Sequence, residues 1–510
     1  MHRQRHHALL VEPLTTCPLT GKLLSQIKFR YITNPREIKT KLNNINRNIE
    51  QVKKMDSTLT TSSLTQNEKA ATAAGENVEG NNTRDVEEQT KPKEKNIAGN
   101  KVADHRTLSL FDTIIMLTTW TTAGVLIALP YSFGQFGYIG GSMLLLFVIL
   151  MTLYYLNFLL DVADNCKDGT IMGLGDVGYE LAGEKGRKLF ETFQYVHLIG
   201  WLPVGLQTIA ISFQYIVNGN CTGMWSIICC VVLYCLLQCM QSWHHMVWIG
   251  YITATIAVLK ACVFLPYAYV RYQDDIQFSP EYLGPVQAFG NPDPTWYNYC
   301  VAMTGFFYAF APVNVLIEIR SSMKDPSQCK KALNISASIQ ICLYLLAGVM
   351  GVVFWGYNVN DPITIEIPRG WLGILLSVVV TLATVLDYFI AAKISNDWVR
   401  SKFFPNWSKA DIGSKLVYTL PTTILAIVCV LVIPEFNTLI ALLVSISLIG
   451  MNTWAITLAW ELGGRNYKAN RVLMWTLCAA GLILNAGGLA GALYDVITAD
   501  YSSNHFCALS

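Results

Sequence analysis

Lys260 stands deep in the apolar run Ile256-Ala257-Val258-Leu259-Lys260-Ala261-Cys262, and Asp387 stands in a second such run, Val385-Leu386-Asp387-Tyr388. An ionisable side chain in hydrocarbon is costly, so both read as functional positions. An ammonium there can trade a proton with a carried solute or with water, and a carboxylate is its natural counter-ion. Snorkelling to an interface would be strained for Lys260, given how far it lies from either end of its run. A second kind of chemistry sits in two interrupted runs. One reads Thr121-Thr122-Ala123-Gly124-Val125 and on to Pro130; the other reads Thr304-Gly305-Phe306-Phe307-Tyr308-Ala309-Phe310-Ala311-Pro312. Gly and Pro at mid-depth weaken a helix where backbone groups have no water to turn to. Freed N–H groups at such a break suit a carboxylate, and freed C=O groups suit an ammonium or a cation.

Other chemistries are not encoded. There is no H-E-x-x-H, no phosphate-binding glycine loop, and no cluster of His and acid at metal-ligand spacing. His244-His245 is an isolated pair. The 14 cysteines include no Cys-x-x-Cys pair, and most lie within apolar runs as small packing residues. An enzyme, a metal site and a cofactor are therefore not expected. Glu318 and Asp495, near the ends of their runs, read as solvated.

The elements that must hold these residues are membrane helices. Of 510 residues, 52% are apolar and only 14% charged, with mean hydropathy +0.36; soluble domains carry about 25% charged residues. Residues 1–105 are polar and read as a disordered N-terminal tail, because 55–101 lack the apolar content to fold. The basic stretch before Met55 has no compact apolar core of a secretory signal. Translation from Met1 or from Met55 is equally compatible with it. Residues 106–500 read as a membrane domain, and 501–510 as a short tail on the far side. The domain divides into about eleven spans of adequate length, near 109–135, 138–160, 189–217, 223–241, 246–270, 296–319, 335–357, 371–395, 415–434, 437–460 and 472–497. Alternate loops collect Lys185, Arg187, Arg320, Lys324, Lys330, Arg400, Lys402 and Arg471, while the others hold only Arg271 and Arg369. That bias puts the N-terminal tail in the cytoplasm. The C-terminal Cys507-Ala508-Leu509-Ser510 fits a prenylation signal, but an outside terminus forbids its use. The sequon Asn220-Cys221-Thr222 lies outside but close to the membrane, and Asn81 and Asn406 fall in cytoplasmic segments.

The first interrupted run, Ala123-Gly124-Val125-Leu126-Ile127-Ala128-Leu129-Pro130-Tyr131-Ser132-Phe133 with Gly137 and Gly140-Gly141, resembles the first-helix signature of the amino acid/auxin permease family. Phe307-Tyr308-Ala309-Phe310, Glu318-Ile319 and Met323-Lys324-Asp325-Pro326 resemble the same family, as do Gly356-Tyr357 and Ile367-Pro368. The resemblance covers roughly 107–497. It implies an all-α membrane protein of about eleven transmembrane helices, a LeuT-type 5+5 inverted repeat with broken first and sixth helices. It further implies a multi-pass secondary transporter of amino acids, working by alternating access and driven by H+ or Na+, with proton symport the leading expectation. The membrane is then the plasma membrane or a vacuolar or lysosomal one. Interrupted helices in matching positions of two halves point to the binding site.

Carried over on that resemblance, Thr122, Ala123, Gly124 and Val125 are backbone ligands for a substrate carboxylate, and Phe306, Phe307, Tyr308 and Phe310 shape the side-chain pocket. The family's Gly-x-Gly is replaced here by Thr122-Ala123-Gly124, which leaves the substrate open. Lys260 is the expected proton-coupling residue with Asp387 as partner. Thr384 or Thr381 facing the first break would instead favour sodium. Some relatives join neighbouring outer loops by a disulfide, which implies Cys221 with Cys300. The competing readings are an amino-acid sensor that signals through its tail, and a carrier of polyamines or auxin-like acids.

Overall fold

The structure is a computed structural model that describes residues 106–166, 171–218, 221–239, 243–272, 286–290, 295–357, 367, 369–407, 412–433 and 435–498. The described elements are helical throughout, as the long apolar runs dictate. Both expected tails, 1–105 and 501–510, lie outside the described residues, as do Asn220 and the side chains of His244 and His245.

Among the described residues, nine helices are long and apolar enough to cross a membrane, and shorter apolar helices cover Leu110–Trp120 and Thr222–Gln238. The first helix, α1 (Leu110–Asp164), is 55 residues long. At 1.5 Å per residue it would reach roughly 80 Å, more than twice the hydrocarbon core. It bends instead at Gly137, where φ is +73°, and so supplies the first two expected spans. Only glycine fits this corner. A Cβ there would lie 2.6 Å from the Ala288 carbonyl carbon, because residues 286–290 clasp the bend. Tyr138 N–H donates to Gln287 O (3.1 Å), Ile139 N–H to Ala288 O (3.0 Å) and Gly290 N–H to Phe136 O (2.9 Å). The other end of α1 begins with a capping box between Ser109 and Asp112.

The remaining elements follow in order: α2 (Leu174–Val217), α3 (Thr222–Cys239) and α4 (Trp243–Leu259). A π-turn (Lys260–Phe264) then leads into α5 (Leu265–Tyr272). Next come α6 (Trp296–Ala309), α7 (Val313–Ser322), α8 (Cys329–Trp355), α9 (Trp371–Phe403) and α10 (Ile412–Val432). The chain ends with α11 (Phe436–Leu443), two π-turns (Val444–Leu448 and Met451–Ala455), α12 (Ile456–Leu462) and α13 (Arg471–Thr498). Within α2 the chain turns at Ala182 and Gly183, so its first turns form a separate short helix before the crossing.

Packing divides these helices into two groups. α1 packs most heavily on α8 and on α6; α2 packs most heavily on α9 and also holds α3 and α10. Glycines set the first contact. A Cβ on Gly348 would meet the Phe133 ring at 2.4 Å, and one on Gly351 would meet Pro130 Cβ at 2.5 Å. α8 can therefore lie directly on α1 only where it carries no side chain. On the side rich in Lys and Arg, the chain entering α1 pairs with the chain leaving α7. Thr107 N–H and Leu108 N–H both donate to Ser322 O (2.9 and 3.0 Å), and Lys324 N–H donates to Leu108 O (2.9 Å). Arg320 adds an ion pair to Asp164 at 2.6 Å, and Lys330 another to Asp161 at 2.9 Å.

The two expected interruptions differ. The sixth span is broken: α6 stops at Ala309, Phe310 has φ −129° and ψ 79°, and α7 restarts after Pro312. The first span keeps helical backbone through Thr122, Ala123 and Gly124 and past Pro130. Ala123 in place of glycine favours the helix, and the Thr122 hydroxyl donates back to the Thr118 carbonyl inside it. The backbone of Thr122 to Val125 is thus engaged in helix rather than freed by unwinding.

Candidate functional site

A half-enclosed cleft opens where the break between α6 and α7 faces α1 and α2. It is lined by Trp120 and Val125 of α1, His197 and Trp201 of α2, Tyr308 at the end of α6, and Ala311 of the break. The Trp201 and Tyr308 rings lie 5.2 Å apart between centroids, tilted by 38°. Gly124 sits beneath them, and a Cβ there would stand 3.1 Å from the Tyr308 hydroxyl oxygen and 3.6 Å from the Trp201 ring. Gly124 therefore contributes space, and Tyr308 is the one tyrosine hydroxyl at the cleft.

Termini of α6 and α7 meet at this cleft. Carbonyls at the end of α6 and N–H groups at the start of α7 lack intrahelical partners in a broken helix. Some are used locally: Phe310 N–H donates to Phe307 O (3.2 Å), and Pro312 O accepts from Val315 and Leu316 N–H. The rest give one pole of negative and one of positive partial charge, about half a unit each, on the two sides of Ala311.

The carried-over residues separate on inspection. Tyr308 and Val125 line the cleft, and Gly124 shapes it. Phe306 does not. It packs edge-on against Phe133 (5.5 Å) and Phe136 (5.8 Å) in the seam between α6 and α1. Phe307 and Phe310 are wholly buried and absent from the cleft wall. Thr122 is buried with its hydroxyl turned into its own helix. Nothing is described of the Ala123 side chain beyond its helical backbone.

Sequence reasoning missed His197, Trp201 and Trp120. His197 is buried, and its Nδ1 lies 3.1 Å from the Ser447 hydroxyl in the first π-turn after α11. Gln194, His197 and Trp201 are spaced i, i+3 and i+7 and so share one face of α2. That polar stripe in an otherwise apolar span was the available signal.

Lys260 and Asp387 are both buried, 1% and 3% exposed, and their charges act on one another. Lys260 opens the π-turn between α4 and α5, a local widening that is frequent at functional sites. That turn packs against α9, which carries Asp387, while α4 packs along α1. Asp387 Oδ2 is enclosed without a hydrogen-bond partner. Neither residue lines the cleft. Thr384 does not join them: its hydroxyl donates to Val380 O within α9 (2.9 Å), and its methyl faces Gly205 of α2. The Thr381 hydroxyl is buried without a hydrogen bond.

Three further expectations change. Cys221 is disulfide-bonded, but not to Cys300, whose thiol is free; Cys300 packs instead beside Gly487 and Gly491 of α13. Glu318 is not solvated: Gln194 holds one of its carboxyl oxygens, and the other is enclosed. Asp495 is half-buried and accepts a hydrogen bond from Thr438. Among the described residues, no group of three or more His, Cys, Asp or Glu could hold a metal ion.

Comparison with known proteins places this site in context. Residues 106–489 match the profile of a family described as "Transmembrane amino acid transporter protein". The amino acid transporter AVT3C of Arabidopsis thaliana is 25% identical over 295 residues, which is 52% of this chain and 63% of that protein. AVT3B of the same plant is 24% identical over 284 residues, 52% of this chain and 64% of its own length. The chain thus matches under two thirds of the length of these relatives. Among solved structures, MhsT in complex with L-phenylalanine superposes on 74% of the chain and 98% of its own, with 14% identity and a TM-score of 0.49.

Proposed function

Because the chain belongs to the transmembrane amino acid transporter family, we propose that it is a secondary active transporter of amino acids that works by alternating access. The observation that carries the reading is the cleft at the α6–α7 break. A free amino acid presents an ammonium and a carboxylate on one carbon. The end of α6 offers carbonyl oxygens to the first, and the start of α7 offers N–H groups to the second. Trp201, Tyr308 and Trp120 then meet the side chain. A site built in this way holds the backbone of any amino acid and selects by the shape of its aromatic wall.

Coupling to protons follows from Lys260 and Asp387. A buried pair of opposite charges is tolerated when neither charge is left alone. Gain or loss of one proton leaves an uncompensated charge between α9 and the turn that joins α4 to α5. The helices around it then have reason to repack or to admit water. This supports proton symport; sodium coupling would call instead on the hydroxyl oxygens of Thr384 or Thr381.

The test is uptake of a panel of labelled amino acids into proteoliposomes, under an imposed proton gradient, a sodium gradient or neither. Proton-driven uptake that Trp201→Ala or Tyr308→Ala reduces at least tenfold supports both site and coupling. Sodium-driven uptake refutes the coupling, and a folded protein that carries no amino acid refutes the substrate class.

A further inference from the structure

Glu318 has no part in the cleft or in the Lys260–Asp387 pair, yet it is placed with unusual care. It lies on α7, toward the side rich in Lys and Arg. Gln194 of α2 reaches across and uses one amide nitrogen for two acceptors, Glu318 Oε1 at 2.6 Å and the Asn314 carbonyl at 2.7 Å. Glu318 Oε2 is enclosed and accepts no hydrogen bond. Asn314, one turn earlier on α7, is 1% exposed, and neither its Oδ1 nor its Nδ2 has a partner. Gly173 keeps the approach from the preceding loop narrow but unfilled: a Cβ there would stand 3.6 Å from Glu318 Oε1.

Among the described residues, no cation is paired with this carboxyl. Arg320, on the same helix, is committed to Asp164 of α1 at 2.6 Å. From α2 the facing titratable groups are Asp176 and Tyr195. Asp176 is a second carboxylate, bound by Met172 and Gly173 N–H and by Arg187 at 3.4 Å. After α7, Asp325 is held by Ser327 and Gln328. An enclosed carboxylate held by neutral donors alone, the Gln194 amide and the backbone N–H groups of Leu174 and of Glu318 itself, with no paired cation among the described residues and one oxygen unpartnered, is expensive. The same group as a carboxylic acid costs far less, since it carries no charge.

The contact also lies at a telling place. α7 continues α6, which packs with α1 and α13, whereas α2 belongs with α9, α3 and α10. Gln194 thus ties one group of helices to the other on the basic side of the cleft. We infer that Glu318 is a second proton-exchange site, which holds its proton while α2 and α7 are in contact and releases it to water when they part. Asn314, whose amide is free to bind, is the group placed to receive that water. The inference rests on the transport reading, because it needs helices that part and close.

Infrared difference spectroscopy of the full chain in lipid nanodiscs, stepped across pH, tests it without transport. The expected result is a titrating protonated-carboxyl band that is lost in Glu318→Gln, kept in Asp387→Asn, and shifted in Gln194→Leu, which removes the amide donor. A spectrum unchanged in Glu318→Gln overturns the inference. If that variant does not fold, Glu318→Asp should move the band by shortening the side chain, and an unmoved band overturns it equally. The two readings fail separately. A band lost in the variant while the wild-type chain carries no amino acid keeps the proton site and sinks transport. Proton-driven uptake with no band assigned to Glu318 sinks the site alone.

Discussion

Replacing one member of the Lys260–Asp387 pair and then both makes the strongest quantitative demand. Asp387 is 3% exposed and Lys260 1% exposed, and each charge acts on the other. Asp387→Asn leaves the ammonium buried with no counter-charge. Removing one partner of a buried ion pair costs about 3–5 kcal/mol, whereas replacing both with apolar residues of similar volume is neutral or stabilises by about 1–4 kcal/mol. Lys260→Met and Asp387→Leu are suitable apolar partners in size. The structure therefore predicts a non-additive cycle. Each single variant loses about 3–5 kcal/mol of stability, and the double variant returns to within about 1 kcal/mol of the parent or exceeds it. Denaturation of the purified chain in detergent, followed by intrinsic tryptophan fluorescence, reads this directly. The same double variant should fold and bind substrate but no longer respond to a proton gradient. Single variants as stable as the parent, or a double variant whose loss equals the sum of the singles, would show that the two charges do not compensate one another.

Three other outcomes follow from the geometry. Gly124→Ala puts a methyl 3.1 Å from the Tyr308 hydroxyl and 3.6 Å from Trp201, so it should raise the KM for bulky amino acids more than for alanine or glycine, with folding unchanged; uniform loss across the panel would contradict this. Gly348→Val forces a branched side chain onto the Phe133 ring, 2.4 Å from the new Cβ, and should destabilise by about 1–3 kcal/mol, with partial recovery in a Phe133→Leu background. Glu435, just ahead of α11, has its carboxyl pushed above the ordinary range by burial first and by Asp495 beside it second. A raised acid is no burden while protonated and becomes one as pH rises through its folded value, so thermal stability should fall as pH climbs from the ordinary carboxylate range towards neutrality. Glu435→Gln should flatten that decline, and a decline of the same size in the variant would place its origin elsewhere.

The legible part of this molecule was what hydropathy and charge asymmetry determine. Long apolar runs have no alternative in lipid to a helix, so the helical class and the boundaries of most spans could be read directly. Proline and glycine located the true break, because Phe310-Ala311-Pro312 combines a lost donor with a sequence that cannot continue the helix. They misplaced the other one. Pro130 is accommodated against Gly351 without ending α1, and Ala123 with Thr122 makes a competent helix. Proline and glycine therefore report a weak point, and whether it opens depends on what packs there. The aromatic run at 306–310 was legible as a group but not by role, since alternate residues of a helix face opposite ways. Tyr308 faces the cleft, while Phe306 faces Phe133 and Phe136. Pairings between distant spans, such as Gln194 with Glu318, are set by tertiary packing and carry no local signature.

The residues that were missed have a common cause, and it bears on mechanism. Gln194, His197 and Trp201 are single polar or amphipathic side chains in a span otherwise suited to lipid. Taken singly, each is ordinary. Their spacing puts all three on one face of α2, and that face meets three different elements: α7 through Glu318 and Asn314, the π-turn after α11 through Ser447, and the end of α6 through Tyr308. Two of these three contacts, those of Gln194 and Trp201, cross from the helices grouped on α2 to those grouped on α1. An apolar seam would slide with little cost at any register, whereas hydrogen bonds and a tilted ring pair hold only at one. A stripe of this kind therefore gives the two groups a defined closed position, with the cleft beside Trp201 at one end and the Glu318 carboxyl at its basic end. Substitution of Gln194 should then loosen the basic side without altering which amino acids bind, and substitution of Trp201 should do the reverse.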